Sequence, residues 1–156
     1  MSSKTMGERA LARERQTIGR TAAWMAKQVE IGLASVDLSI PQYRVLGLLD
    51  ESPAFSSAMA ERLAVRPPSI TAIIDGLVAR GLVERHAVES DRRRVDHSLT
   101  ESGLTVLTAA DAAVAARLAD IAGCLDEPAD TQGALDGLVT WRHALLAFRS
   151  ARKARR

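Results

Sequence analysis

A chain of 156 residues, 47% hydrophobic and 26% charged, is long enough for one real core and short for two independent domains. Only 3% of its residues are aromatic, which beside abundant alanine favours packed helices over sheets; its net charge of +2 means that affinity for nucleic acid must come from where basic residues lie, not from their sum. No apolar run approaches a membrane span, the opening nine residues lack the hydrophobic centre of a secretory signal, and a single cysteine excludes an intrachain disulfide, so a cytoplasmic protein is expected.

After a polar leader, the first predicted element is a long helix over roughly Gly7 to Ala34. Leu11, Ile18, Ala22, Met25, Val29 and Leu33 recur at helical spacing and form an apolar stripe about a hundred degrees wide. Ser35 to Leu38 reads as a turn. Ser39 with Gln42 three residues on is a capping-box signature, with Pro41 tolerated in the first turn, and it starts a helix over Ile40 to Glu51 that buries Tyr43, Leu46 and Leu49. Pro53 breaks that helix. Ser56 or Ser57 is expected to cap a third helix, Ala58 to Ala64, with Met59 and Leu63 inward, and Val65-Arg66 is the tight turn that follows it.

The next stretch reads as helix, hairpin, helix. After Pro67-Pro68, Ile70, Ile73, Ile74, Leu77 and Val78 give a short helix one apolar face, leaving Pro68, Ser69, Thr71, Ala72, Asp75 and Ala79 outward, and Gly81 ends it. Leu82 to Val88 and Val95 to Leu99 are two extended runs, the second alternating with Val95, His97 and Leu99 on one side and Asp96 and Ser98 on the other. Between them Glu89 to Arg94 is a charged tip. Thr100 caps a second long amphipathic helix carrying Leu104, Leu107, Val114, Leu118, Ile121 and Leu125, which Asp126-Glu127-Pro128 ends; a last helix, roughly Gln132 to Arg149, carries Leu135, Leu138, Trp141, Leu145 and Phe148. The expected fold is mostly α with a small two- or three-stranded wing. Its parts are a leader and first helix over 1–38, a winged helix-turn-helix over 39–100 and two closing helices with a basic tail over 101–156. Stripes this long would leave a monomer with much apolar surface, which favours a homodimer.

A short helix with a polar outer face, beside a hairpin tipped with arginines, is the plan of a winged helix-turn-helix that grips double-stranded DNA. Unbalanced positive charge concentrates at Arg92-Arg93-Arg94 and in the tail from Arg149 to Arg156, where phosphate neutralisation would be greatest. On the helix, Ser69 and Thr71 can donate to phosphates or base edges and Ala72 can touch a thymine methyl, although Ser69 and Thr71 can equally satisfy backbone groups of the helix itself.

The run Leu63-Ala-Val-Arg-Pro-Pro-Ser-Ile-Thr71, then Leu77, Gly81-Leu-Val-Glu-Arg85, Asp91-Arg-Arg93 and Leu99-Thr-Glu-Ser-Gly103, resembles the multiple-antibiotic-resistance regulator (MarR) family of bacterial repressors. The resemblance implies a dimer built by the first and last helices, a pseudo-palindromic operator and release from it by a small ligand. It implies that Asp91 orients Arg93 for entry into a narrow minor groove; beside that pair, Arg92 and Arg94 read as phosphate contacts or exposed spares. Two departures stand out: Ala72 follows the threonine where many members carry arginine or another polar residue, and Arg66 precedes the prolines where serine is frequent. Readout from the helix centre is thereby weakened, and Arg66 can replace part of it. The family's regulatory pocket lies between the long helices and the winged unit; candidates to line it here are Arg15, Arg20, Trp24, Met25, Tyr43 and Arg44, and a small aromatic or phenolic anion is the expected effector.

Other chemistries find little support. His86, His97 and His143 lack acidic or cysteine companions at ligand spacing, so no metal or other cofactor is expected and His97 reads as a packed structural histidine. Cys124 lies among apolar neighbours and reads as a small buried hydrophobe. No nucleophile with a base and no phosphate-cradling glycine loop points to an enzyme. The remaining alternative is a winged-helix protein-interaction or antitoxin-like module without specific DNA readout.

Overall fold

The structure, a computed structural model, describes residue 13 and residues 16–88 and 91–154, with the backbone alone at 88, 91–94 and 152–154. The described residues fall into two compact units, one ending at Val114 and the other beginning at Ala115.

In the first unit α1 (Ile18–Ala34) and α2 (Ile40–Glu51) lead into a helix-turn-helix and a small sheet. Apart from residue 13, the part of the expected first helix before residue 16, including Leu11, lies outside the described residues. The stripe on α1 is buried only at its end: Leu33 is fully enclosed while Ile18 is exposed. At Gly32 α1 packs closely on other backbone, since a Cβ there would meet the Val114 Cα at 3.1 Å. The capping box forms as expected, the Ser39 N–H donating to Gln42 Oε1 at 2.9 Å and the Gln42 N–H to Ser39 Oγ at 3.4 Å. Val45, Leu46, Leu48 and Leu49 of α2 enter the core, with Tyr43 half-buried at its margin.

The third helix departs from expectation at its start. α3 spans Ser56–Leu63 with Phe55 at the N-cap and no side-chain cap, because Ala54–Phe55 is already a short strand, β1. Its pairing with His97 and Asp96 fixes the entry that a serine hydroxyl was expected to provide. Ala64 then turns left-handed (φ 54°), and its N–H and that of Val65 close back onto Glu61 and Ala60 at 3.2 and 3.0 Å. α4 (Pro67–Ala79) follows, with Pro67 at the first helical position and Ile70, Ile74 and Leu77 buried. Gly81 (φ 68°) ends it as predicted, the Leu82 N–H reaching the Leu77 carbonyl at 3.0 Å.

β2 (Val83–Val88) and β3 (Asp91–Leu99) form the hairpin, and the antiparallel sheet has the order β1-β3-β2. β3 is longer than the alternation predicted: it begins at Asp91, so the turn shrinks to residues 89–90, which lie outside the described residues. The strand resumes because Asp91 pairs with Val88, while Arg92-Arg93-Arg94 fall in the register irregularity between that pair and Ala87 with Val95.

α5 (Glu101–Ala122) runs from the first unit into the second, and α6 (Pro128–Ala154) follows. α5 stops before its expected end at Leu125, and α6 starts and finishes beyond its expected limits, Pro128 serving as a first-turn residue rather than a breaker. Because α5 ends at Ala122, Cys124 lies in the connecting turn and is exposed, not a buried hydrophobe as its apolar neighbours suggested. Val139, Trp141, Leu145 and Phe148 of α6 are exposed in the single chain, Trp141 at 63%. No helix among the described residues is long and apolar enough to cross a membrane.

Candidate nucleic-acid interface

α4 presents Arg66, Pro68, Ser69, Thr71, Ala72, Asp75 and Ala79 to solvent while its isoleucines hold the opposite side against the core. The Thr71 hydroxyl donates to the Pro67 carbonyl at 3.1 Å, so in this rotamer it offers the outside an acceptor and a methyl. Arg66 stands at the N-cap in an extended conformation, its carbonyl accepting the Ser69 and Ile70 N–H groups at 3.0 and 3.2 Å. Its guanidinium therefore springs from the turn that opens the helix.

The hairpin is anchored at its base. Leu82 and Val83 are buried, and the Thr100 hydroxyl donates to the Gly81 carbonyl at 2.7 Å while accepting the Gly103 N–H at 2.9 Å. One threonine thus caps α5 and ties it to the end of α4. The Leu99-Thr-Glu-Ser-Gly103 run is the joint between wing, helix α4 and helix α5. At the tip the backbone of Asp91 to Arg94 belongs to β3, while the side chains of Asp91, Arg92, Arg93 and Arg94 lie outside the described residues.

An ion pair bridges the two arms: Arg85 on β2 donates to Asp75 on the outward side of α4. The sequence places Asp75 on the outward face and Arg85 in the Gly81-Leu-Val-Glu-Arg85 run but does not show that they pair, because the pair joins a helix to a strand and follows no local spacing. Arg85 is also the cross-strand partner of His97, which is buried and whose Nδ1 lies 3.3 Å from the Ala54 carbonyl. Burial lowers the His97 pKa below its usual value, and Arg85 pushes it the same way. His97 is a packed member of the sheet; among the described residues no three His, Cys, Asp or Glu side chains group to hold a metal.

The expected effector residues are dispersed. Arg20 and Trp24 are exposed one turn apart on α1, and Met25 is half-buried. The Tyr43 hydroxyl donates to Asp111 on α5, and burial together with that carboxylate raises the phenol's pKa. Arg44 Nη2 donates to the Leu63 carbonyl at 3.1 Å, closing the end of α3. Arg15 lies outside the described residues. An open hollow elsewhere, between the end of α2 and the β3–α5 joint, is lined by Leu49, Asp50, Leu99 and Leu104 among others and contains none of these residues.

A helix-turn-helix followed directly by an antiparallel hairpin defines a winged helix-turn-helix of the DNA-binding class. A sequence model described as MarR family matches residues 36–94. The chain is 33% identical over 107 residues to the HTH-type transcriptional repressor Rv2887 of Mycobacterium tuberculosis (strain ATCC 25618 / H37Rv), an alignment covering 64% of this chain and 77% of that protein. Among solved structures it is similar to the transcriptional repressor CouR bound to a 23-mer DNA duplex, with 30% identity, a TM-score of 0.66 and coverage of 81% and 89% of the two chains. It shares the fold of wild-type MarR (apo form) from E. coli, with 22% identity, a TM-score of 0.67 and coverage of 79% and 93%. The chain belongs to the MarR family and is a transcriptional regulator, not an enzyme.

Proposed function

We propose that this regulator is a cytoplasmic, dimeric repressor that binds a pseudo-palindromic operator, α4 lying in the major groove and the hairpin tip in the adjacent minor groove. The observation that carries the reading is the exposed polar face of α4 from Arg66 to Asp75, set beside a hairpin whose tip sequence is Asp91-Arg-Arg-Arg94. The similarity to a repressor solved on a DNA duplex supports it. A dimer would supply the second half-site and cover the apolar side chains of α6. Selection of bound sequences from a random duplex pool at physiological salt tests binding, half-site spacing and symmetry together. An inverted repeat with half-sites about one helical turn apart is expected; recovery of no preferred sequence would return the chain to a protein-interaction role.

Release by a small aromatic or phenolic anion completes the proposal. Arg20 and Trp24, exposed one turn apart on α1, put a cation and an aromatic side chain on the same helix face, which suits such a ligand. The ligand must bind the DNA-incompetent state more tightly than the competent one. A panel of aromatic acids should raise the melting temperature and release DNA; a panel that does neither removes this effector class.

A further inference from the structure

We propose that Asp75 and Arg85 are positioning residues for DNA binding, their ion pair setting the angle between the recognition helix and the wing; this rests on the DNA-binding reading above. Asp75 is an acid on the outward side of α4, a place where polyanionic DNA should disfavour it. Arg85 accounts for its presence. Its stem starts beside buried His97 on the covered face of the sheet, and its guanidinium reaches out to the Asp75 carboxylate.

The pair has leverage. The hairpin is held at its base by Leu82, Val83 and Thr100, and β2 runs three residues beyond Arg85, to Val88, before the tip begins. At about 3.4 Å per residue that is roughly 10 Å or more of strand, over which a small tilt grows into a displacement large enough to misplace a minor-groove contact. Both partners are about half exposed, so the pair contributes little to stability in water. Its consequence is geometric: it couples the two arms that must reach DNA together, and approaching phosphates would displace the water that screens it.

The sign of one substitution separates this from simple electrostatics. Asp75→Asn removes a negative charge from the DNA-facing side, so charge alone predicts tighter binding. Loss of position predicts weaker binding, on the order of 5–10-fold, greatest on duplexes with A·T-rich flanks where the wing inserts. Asp75→Glu keeps the charge and moves it by one methylene; it should also lose several-fold, and it serves if the asparagine variant folds poorly. In an Arg85→Gln background the penalty of Asp75→Asn should vanish, whereas Arg85→Lys should retain part of the wild-type affinity. Affinity is measured on the selected duplex by fluorescence anisotropy, with melting temperature alongside. If the wild type binds and Asp75→Asn binds equally or more tightly on both flank types, the positioning role is wrong while DNA binding stands. A wild type that binds no selected duplex overturns both.

Discussion

The backbone of Gly103 lies so close to that of Leu82 that a Cβ at position 103 would sit 2.0 Å from the Leu82 carbonyl oxygen. The atom in the way is main chain and cannot rotate aside. Glycine inside a helix ordinarily costs stability relative to alanine, roughly 0.5–1 kcal/mol, and here the contact reverses that preference. Gly103→Ala should destabilise by about 1–3 kcal/mol, as overpacking does, and lower the melting temperature. Thr100→Ala should cost about 1 kcal/mol through the lost cap, with Thr100→Ser recovering most of it. A melting temperature for Gly103→Ala at or above the wild type's would show that the joint between α5 and Leu82 can open without cost.

His97 gives a pH dependence of fixed sign. Its folded pKa lies below the unfolded value of 6.5 because burial disfavours the imidazolium. Between the two values the unfolded chain binds more protons than the folded one, so stability rises with pH. The contribution is complete above pH 6.5 and is lost as pH falls through the folded value. Melting temperatures from pH 5 to 8 should show this slope, and His97→Gln should flatten it; an unchanged slope would assign the effect to other groups.

The exposed apolar side of α6 predicts a dimer. Trp141 is 63% exposed and Phe148 61% in the single chain. Trp141→Glu would place an unpaired charge in the proposed interface and should weaken association by on the order of 2 kcal/mol or more. Light scattering at micromolar concentration checks both proteins. A monomeric wild type overturns the dimer, and a dimeric Trp141→Glu variant moves the interface elsewhere.

The wing arginine is expected to compensate for Ala72 on the recognition helix. Arg93→Ala should cost on the order of 1–3 kcal/mol of binding free energy, more on A·T-rich than on G·C-rich flanks. A phosphate contact would instead weaken all sequences alike and lower the salt slope by about one unit. Asp91→Ala should reproduce part of the loss although it removes a charge that DNA repels. Tighter binding by Asp91→Ala would make Asp91 an ordinary surface acid.

What the sequence determined was local or periodic. Ser39 and Gln42 announce their capping box because its partners are three residues apart, and the isoleucines of α4 announce its buried side because helical geometry repeats. Gly81 marks its turn because a left-handed residue favours glycine, and His97 its inward place because strands alternate. The winged unit was legible for these reasons. Tertiary structure decided the rest. β1 has no signature of its own, since two residues become a strand only by pairing with Asp96 and His97. The start of β3 at Asp91 likewise depends on its partner strand. Cys124 is exposed because α5 stops two residues earlier, which its apolar neighbours could not signal. Asp75 and Arg85, Tyr43 and Asp111, and Arg44 and the Leu63 carbonyl are separated by 10, 68 and 19 residues. No periodicity links such positions: they meet only when helices and strands pack, and packing depends on the whole chain at once.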